Sequence, residues 1–244
     1  MQSPTPLLPH LVMNMAMTLD GKVSTIDRTG AVFTSHHDKQ RMAQIRARAD
    51  ALIMGATTVA IDTPRMLINT PELRQSRTQH GKPEQPIRVI LSATGSLRPD
   101  ARPFSSNASP ILVFASNSTP KEWRTSIETA VRPSNGRLFI MGEDRVPLRT
   151  MLEILYSEYQ VRSAVCEGGP TLNFFMFQEE LVDELYLTIA PLIFGGASAK
   201  TPVDGPGFSE DLTRHATLKS TEVVGDEVYL HYHISRAHEK EERK

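Results

Sequence analysis

The stretch Cys166-Glu-Gly-Gly-Pro-Thr-Leu-Asn173 lies between an apolar run, Ser163-Ala-Val165, and an apolar helix-like segment over residues 172–181. It reads as a strand that feeds a glycine turn, with the turn opening a helix. Glycines without a Cβ let the backbone approach a ligand closely, and the first N–H groups of a helix lack intrahelical acceptors and suit phosphate. The same grammar recurs at Met54-Gly-Ala-Thr-Thr-Val59, where Thr57 and Thr58 bring hydroxyls to a helix start. Glycine turns at Gly55 and Gly168-Gly169 are therefore expected at the carboxyl ends of parallel strands, the edge where open α/β sheets bind ligands.

Residues 7–19 form a mostly apolar run suited to a buried central strand. Asn14 interrupts it, and a buried amide needs partners, so it is either a satisfied structural side chain or a reader of something polar at the sheet's edge. Asp20-Gly21 makes a turn, residues 22–24 read as a strand, and residues 25–31 as a loop over a site. Thr34 or Ser35 caps a helix over about residues 36–49, whose apolar face carries Met42, Ile45 and Ala49. Pro64 ends a short helix, and the polar, proline-bearing residues 69–85 read as surface loop. Short strands at 87–91, 111–115, 137–141 and 162–166 alternate with helices at 120–130 and 147–159. Beyond the opening motif, residues 182–190 alternate in polarity, and strands at 217–224 and 228–234 flank Gly225-Asp226 as an antiparallel hairpin. The expected fold is α/β, a mostly parallel central sheet flanked by helices with antiparallel carboxy-terminal edge strands. A charged tail covers residues 237–244.

Composition excludes several functions. Lys and Arg total 27 against 28 Asp and Glu, and a net charge of −1 gives no long-range field for nucleic acid or an anionic membrane. Among 244 residues the single cysteine, Cys166, cannot form an internal disulfide, and no apolar run approaches the roughly 20 residues of a membrane span. A cytoplasmic enzyme or binding protein is expected. His36 and His37 are adjacent and diverge on a helix, while His231 and His233 have no Cys pair or HExxH spacing to complete a metal site. Walker, GxGxxG and GxSxG motifs are absent. Glu167 precedes the second glycine turn, and a carboxylate there suits a neutral donor on another ligand better than phosphate. Two ligands meeting across the sheet suggest transfer between them.

The residues resemble the riboflavin-pathway reductases of dihydrofolate-reductase-like fold, most closely the stand-alone archaeal and fungal type. The matching pieces are Met17-Thr-Leu-Asp-Gly-Lys22, Ile45-Arg-Ala47, Asp50-Ala-Leu-Ile-Met-Gly55, Thr58-Val-Ala-Ile-Asp-Thr-Pro-Arg65, Glu167-Gly-Gly-Pro-Thr-Leu172, Leu181-Val-Asp-Glu-Leu185 and Ile189-Ala-Pro-Leu-Ile-Phe-Gly-Gly196, in order over residues 11–208. The resemblance implies a reductase domain over residues 1–236 that uses NADPH to reduce the ribosyl side chain of a ribosylamino-pyrimidine 5′-phosphate to ribityl. A homodimer through the carboxy-terminal strands is implied as well. The cofactor would be held by Gly168, Gly169, Pro170, Thr171 and Leu172, with Thr58 and Asp62 also on it. Substrate would be bound by Asn14, Arg46, Met66, Asn69 and Glu167, and no metal takes part. A paralogous NADPH reductase of another heterocycle, or a nucleotide-binding protein without turnover, are the alternatives.

Asn14 gains meaning from the resemblance, because bifunctional bacterial reductases usually carry Lys there and act on the deaminated uracil. An Asn oxygen can accept from a 2-amino group, whereas an ammonium only donates, so Asn14 favours the 2,5-diamino substrate. The chain departs from the family at Thr63, where a second Asp is usual, at Asn69, where Arg or His is expected near the sugar phosphate, and at Gly30, often a polar contact. Arg46 is then expected as the main basic partner of the 5′-phosphate.

Overall fold

The computed structural model describes residues 7–27 and 33–235, so Gly30 and the charged tail lie outside the described residues. Nine strands form one sheet in the order β5-β4-β3-β2-β6-β1-β7-β9-β8. Strands β1 (His10–Thr18), β2 (Ala51–Gly55), β3 (Ile87–Ser92), β4 (Ile111–Ala115), β5 (Arg137–Ile140), β6 (Ser163–Cys166) and β7 (Glu184–Ala190) run parallel. Strand β9 (Glu227–Ile234) pairs antiparallel with both β7 and β8 (Ala216–Val224), and β8 is joined to it by the two-residue Gly225-Asp226 turn. The mostly parallel sheet with antiparallel edge strands is the expected architecture.

Both faces of the parallel part are covered, which is why its strands read as continuous apolar runs. In β2, Ala51 and Ile53 face helices α5 (Leu148–Ser157) and α6 (Pro170–Gln178), where Met151, Leu152, Leu155 and Met176 are fully buried. Leu52 and Met54 face the other way, toward Ile45 of α1 (His36–Arg48), Val59 of α2 (Ala56–Asp62) and Ile127 of α4 (Lys121–Val131). The period of two along β1 puts Leu11 and Met13 on the α6 face and Val12 and Asn14 on the α1 face.

Order along the sheet positions the site. Strands β2 to β5 build outward from the centre, and β6 then returns to insert between β2 and β1. Cys166, the last residue of β6, is in register with Met13 on one side and Ile53 on the other. Whatever follows Cys166 therefore emerges at the switch point of the sheet, where a crevice opens beyond the strand ends.

Two expectations fail for physical reasons. Residues 69–85 contain a helix, α3 (Pro71–Gln79), with Pro71 at its first turn. It docks through a cation rather than an apolar stripe: Arg77, 2% exposed, donates to the carbonyls of Ala47, Ala49 and Pro83. Hydrophobic periodicity could not show such a helix. Residues 22–24 form no strand, because Asp20 accepts from Thr18 Oγ1 and from the N–H groups of Phe194 and Gly195, tying this turn to the loop after β7.

One carboxylate secures the amino-terminal end of the β2–β6 seam. Asp50 accepts from the N–H groups of Arg162 and Ser163, from Ser163 Oγ and from Lys82 Nζ. Partial burial would raise its pKa, but the hydrogen bonds from Lys82, Arg162 and Ser163 outweigh that and hold it below the ordinary carboxylate value. A depressed folded-state pKa gives stability that is present above the unfolded value of about 3.9 and is lost as pH falls through the folded one. Asp50→Ala should lower unfolding stability by about 1–3 kcal/mol at pH 7. Denaturant melts should show the difference from wild type shrinking below about pH 4; a pH-independent difference would contradict this account.

Candidate active site

The two glycine turns touch. The N–H of Gly55 donates to the carbonyl of Gly168 at 2.7 Å, and the N–H of Glu167 to that of Ile53 at 3.0 Å, so the β2 and β6 exits form one continuous floor. Gly168 has φ 89, and Met15 Sδ and Asn173 Nδ2 lie 3.4 and 3.5 Å from where a Cβ would stand. It is buried and shapes the turn from beneath, with no face on the cleft, unlike the other residues expected at the pyrophosphate. Gly169 follows as the N-cap of α6, joined to Gly168 by a cis peptide, and a Cβ on it would lie 2.5 Å from Thr58 Oγ1. Pro170 occupies the first helical position, where its missing N–H costs nothing, and the N–H groups of Thr171 and Leu172 lie in the unpaired first turn of a nine-residue helix.

Above this floor a cleft of about 1170 Å³ opens. That exceeds the roughly 300–1000 Å³ usual for one small ligand and leaves room for two. Gly169, Pro170, Thr171 and Leu172 line it together with Thr58 and Asp62, which lie one helical turn apart on α2. Partial burial pushes the Asp62 carboxyl above its ordinary value. The half beyond α6 is walled by the loops after β3 and β5, including Thr94, Ser96 and Arg145, whose guanidinium lies 4.7 Å from the Phe175 ring centre. The opposite half is walled by Asn14 and by Asp38, Met42 and Arg46 of α1.

Arg46 and Glu167 close the floor between these halves by binding each other. Arg46 Nε donates to Glu167 Oε1 at 2.6 Å and Nη2 to Oε2 at 2.7 Å, a two-pronged pair with side chains only 12% and 7% exposed. Arg46 Nη1 also donates to the Leu67 carbonyl at 3.3 Å. Burial alone would lower the Arg46 pKa, but the charge and hydrogen bonds of Glu167 raise it above the ordinary value. Both residues line the cleft, as expected for substrate contacts, but neither is a free charge. Arg46, expected as the main phosphate partner, is paired here with Glu167.

Asn14 reaches the cleft from mid-strand, in register with Tyr186 of β7, and its side chain has no hydrogen-bond partner among the described residues. Met66 and Asn69 do not line the main cleft; both border a smaller cavity beside it, and Met66 is 1% exposed with its side chain in the core. Sequence reasoning missed Ser92. It ends β3 in the cleft wall, 1% exposed, and its hydroxyl is buried without a partner among the described residues. A hydroxyl at the carboxyl end of an apolar strand was the available signal. Cys166, fully buried, has its thiol pushed up to about 12 by burial and is no nucleophile. Among the described residues no group of three or more His, Cys, Asp or Glu could hold a metal ion, and His231 instead pairs with Glu184 at 2.9 Å. No described helix is long and apolar enough to cross a membrane.

A mostly parallel sheet with antiparallel edge strands, opening at its switch point on a cleft with room for two ligands, defines a dihydrofolate-reductase-like fold. The chain belongs to the RibD C-terminal domain family, whose model matches residues 9–230. The 2,5-diamino-6-ribosylamino-4(3H)-pyrimidinone 5′-phosphate reductase of Methanothermobacter thermautotrophicus is 31% identical over 228 residues, 93% of this chain and 98% of that protein. The protein of the same name from Archaeoglobus fulgidus is 32% identical over 200 residues, 82% of this chain and 88% of its own. A solved pyrimidine reductase-like protein from Corynebacterium diphtheriae matches 93% of this chain and 92% of its own with a TM-score of 0.79; at 18% identity this likeness concerns the fold alone.

The floor supplies a direct test. If the floor cradles NADPH as the resemblance implies, Gly169→Val should raise the dissociation constant for NADPH at least about tenfold, equivalent to ~1.4 kcal/mol, by setting a side chain against Thr58. Fluorescence titration would measure it, with circular dichroism checking the fold; unchanged affinity in a folded variant would remove Gly169 from the cofactor site.

Proposed function

We propose that this chain is a cytoplasmic, NADPH-dependent reductase of riboflavin biosynthesis that converts the ribosyl side chain of 2,5-diamino-6-ribosylamino-4(3H)-pyrimidinone 5′-phosphate to ribityl. The observation that carries this reading is one cleft with two chemically different halves, in a chain 31% identical to the Methanothermobacter reductase of that substrate. In the ring-opened substrate, the C1′=N bond gains a hydride at carbon and a proton at nitrogen.

The residues fit a dinucleotide. Gly169 leaves a cradle that any Cβ would fill, α6 offers unpaired N–H groups and a favourable dipole to a pyrophosphate, and the buried Ser92 hydroxyl lacks a partner. Arg145 offers a guanidinium in the half of the cleft beyond α6, which suits the 2′-phosphate that distinguishes NADPH from NADH. When bound, the cofactor supplies the hydride. The protein aligns the second ligand beside it: Asn14 accepts from the base's 2-amino group, and the Arg46–Glu167 pair sets the shape and polarity of the wall facing the pyrimidine.

A homodimer is supported by the sheet's carboxy-terminal part. On the face of β7 that carries Leu185, Leu187 and Ile189, cross-strand partners continue as Tyr232, Leu230 and Val228 of β9 and as Leu218, Thr221 and Val223 of β8. Leu218 and Val223 are 50% and 65% exposed, so this apolar face is incompletely covered by its own chain and suits a second copy.

The decisive assay follows NADPH oxidation with the diamino-pyrimidinone phosphate and with its deaminated uracil analogue. The diamino compound should give the higher kcat/KM, and Asn14→Lys should move the ratio toward the uracil by roughly tenfold. Turnover of neither compound would sink the assignment, and an unchanged ratio in the variant would remove Asn14 as the reader of the base.

A further inference from the structure

Beside the cleft lies a second cavity of about 380 Å³, and the two volumes share Met42, Arg46 and Pro64 as common walls. Arg65, Asn69 and Arg102 supply the polar lining on its far side, and no acidic residue borders it among the described residues. With Arg46 neutralised by Glu167, the cavity's unspent positive charge comes from Arg65 and Arg102. Arg65 has no hydrogen-bond or ion-pair partner among the described residues. Arg102 arrives from a distant turn and donates through Nη1 to the Thr63 carbonyl at 3.2 Å, leaving most of its guanidinium donors unused.

The backbone that presents Arg65 is firmly fixed. Thr63 and Met66 both adopt left-handed conformations, with φ 43 and φ 55, which non-glycine residues visit rarely and keep only when the surroundings impose them. On the carboxyl side, Met66 is sunk in the core, and Gln85 clasps Ile68, accepting from its N–H at 2.8 Å and donating to its carbonyl at 2.9 Å. On the amino side, Arg102 holds Thr63. Two arginines from separate parts of the chain thus meet at one positive, acid-free cavity opening off the substrate half of the cleft. Such a fork-bearing pair matches a phosphate monoester.

We propose that this side cavity binds the substrate's 5′-phosphate, with Arg65 and Arg102 as its charged partners, while Arg46 serves the wall of the main cleft through Glu167. The proposal rests on the functional reading above and names residues for its phosphate end. The phosphate then anchors the substrate away from the reacting carbon, and the ring-opened sugar spans the passage beside Met42 and Pro64. An amide at Asn69 completes the lining as a hydrogen-bond donor without charge.

Kinetics with the phosphorylated pyrimidine and with its dephosphorylated nucleoside, on wild type and on Arg65→Ala/Arg102→Ala, test this. Wild type should prefer the phosphorylated compound, and the double variant should lose roughly 10- to 100-fold of that preference, mainly through KM, with Arg65→Lys retaining part of it. A preference unchanged in the double variant would overturn the proposal. Binding of ribose 5-phosphate, against ribose, by calorimetry is independent of turnover. Affinity for ribose 5-phosphate that weakens in the double variant supports the site even if neither pyrimidine is reduced, in which case the functional reading alone fails. Equal binding to wild type and variant, or none to wild type, refutes the phosphate site.

Discussion

A buried ion pair across 121 positions of sequence holds this active site in shape: Arg46, in the last turn of α1, grips Glu167 through two hydrogen bonds just beyond the end of β6. A charge removed from water is costly, and a buried pair recovers that cost only with good geometry, so such a pair is weak as a source of stability. Its value is positional. It ties α1, which walls one half of the cleft, to the glycine turn that opens α6, at the point where β6 inserts between β1 and β2. Because the two side chains bear opposite charges 2.6 Å apart, the floor carries two charges with almost no net field.

That neutrality organises the ligands. On the proposed reading, a phosphorylated substrate and a dinucleotide both bring anions into one cleft, where cations and backbone donors stand at separate places. The unpaired amides of α6 and the Ser92 hydroxyl lie on one side, and Arg65 and Arg102 lie in an annex on the other. On the proposed reading, the reactive parts of both ligands would meet above a floor with little net charge, held by their ends. Binding energy gained far from the reacting atoms can in this way serve alignment at the centre.

Much of this was legible in the sequence because it is written in residues with narrow conformational meaning. Gly168-Gly169-Pro170 after a short apolar strand specifies a turn and a helix start, and the alternation of strands with helices fixes a mostly parallel sheet. Helix α3 escaped because its anchor is the buried guanidinium of Arg77, which looks in sequence like any surface arginine. The pairing of Arg46 with Glu167 escaped for a different reason: each is a plausible ligand contact alone, and only the fold brings them within 2.6 Å. The change at Asn69 was visible as a missing cation. The proposed counterpart was hidden, because Arg102 lies 33 positions further on and reaches the same cavity through tertiary structure.

A double-mutant cycle on Arg46→Met and Glu167→Gln tests most directly whether this pair works as one unit in the substrate wall. If it does, kcat/KM for the pyrimidine substrate will fall about as far in either single variant as in the double, with a coupling energy of about 1–3 kcal/mol, while NADPH affinity shows no coupling. Additive losses in kcat/KM would contradict the account and leave Arg46 and Glu167 as two independent contacts.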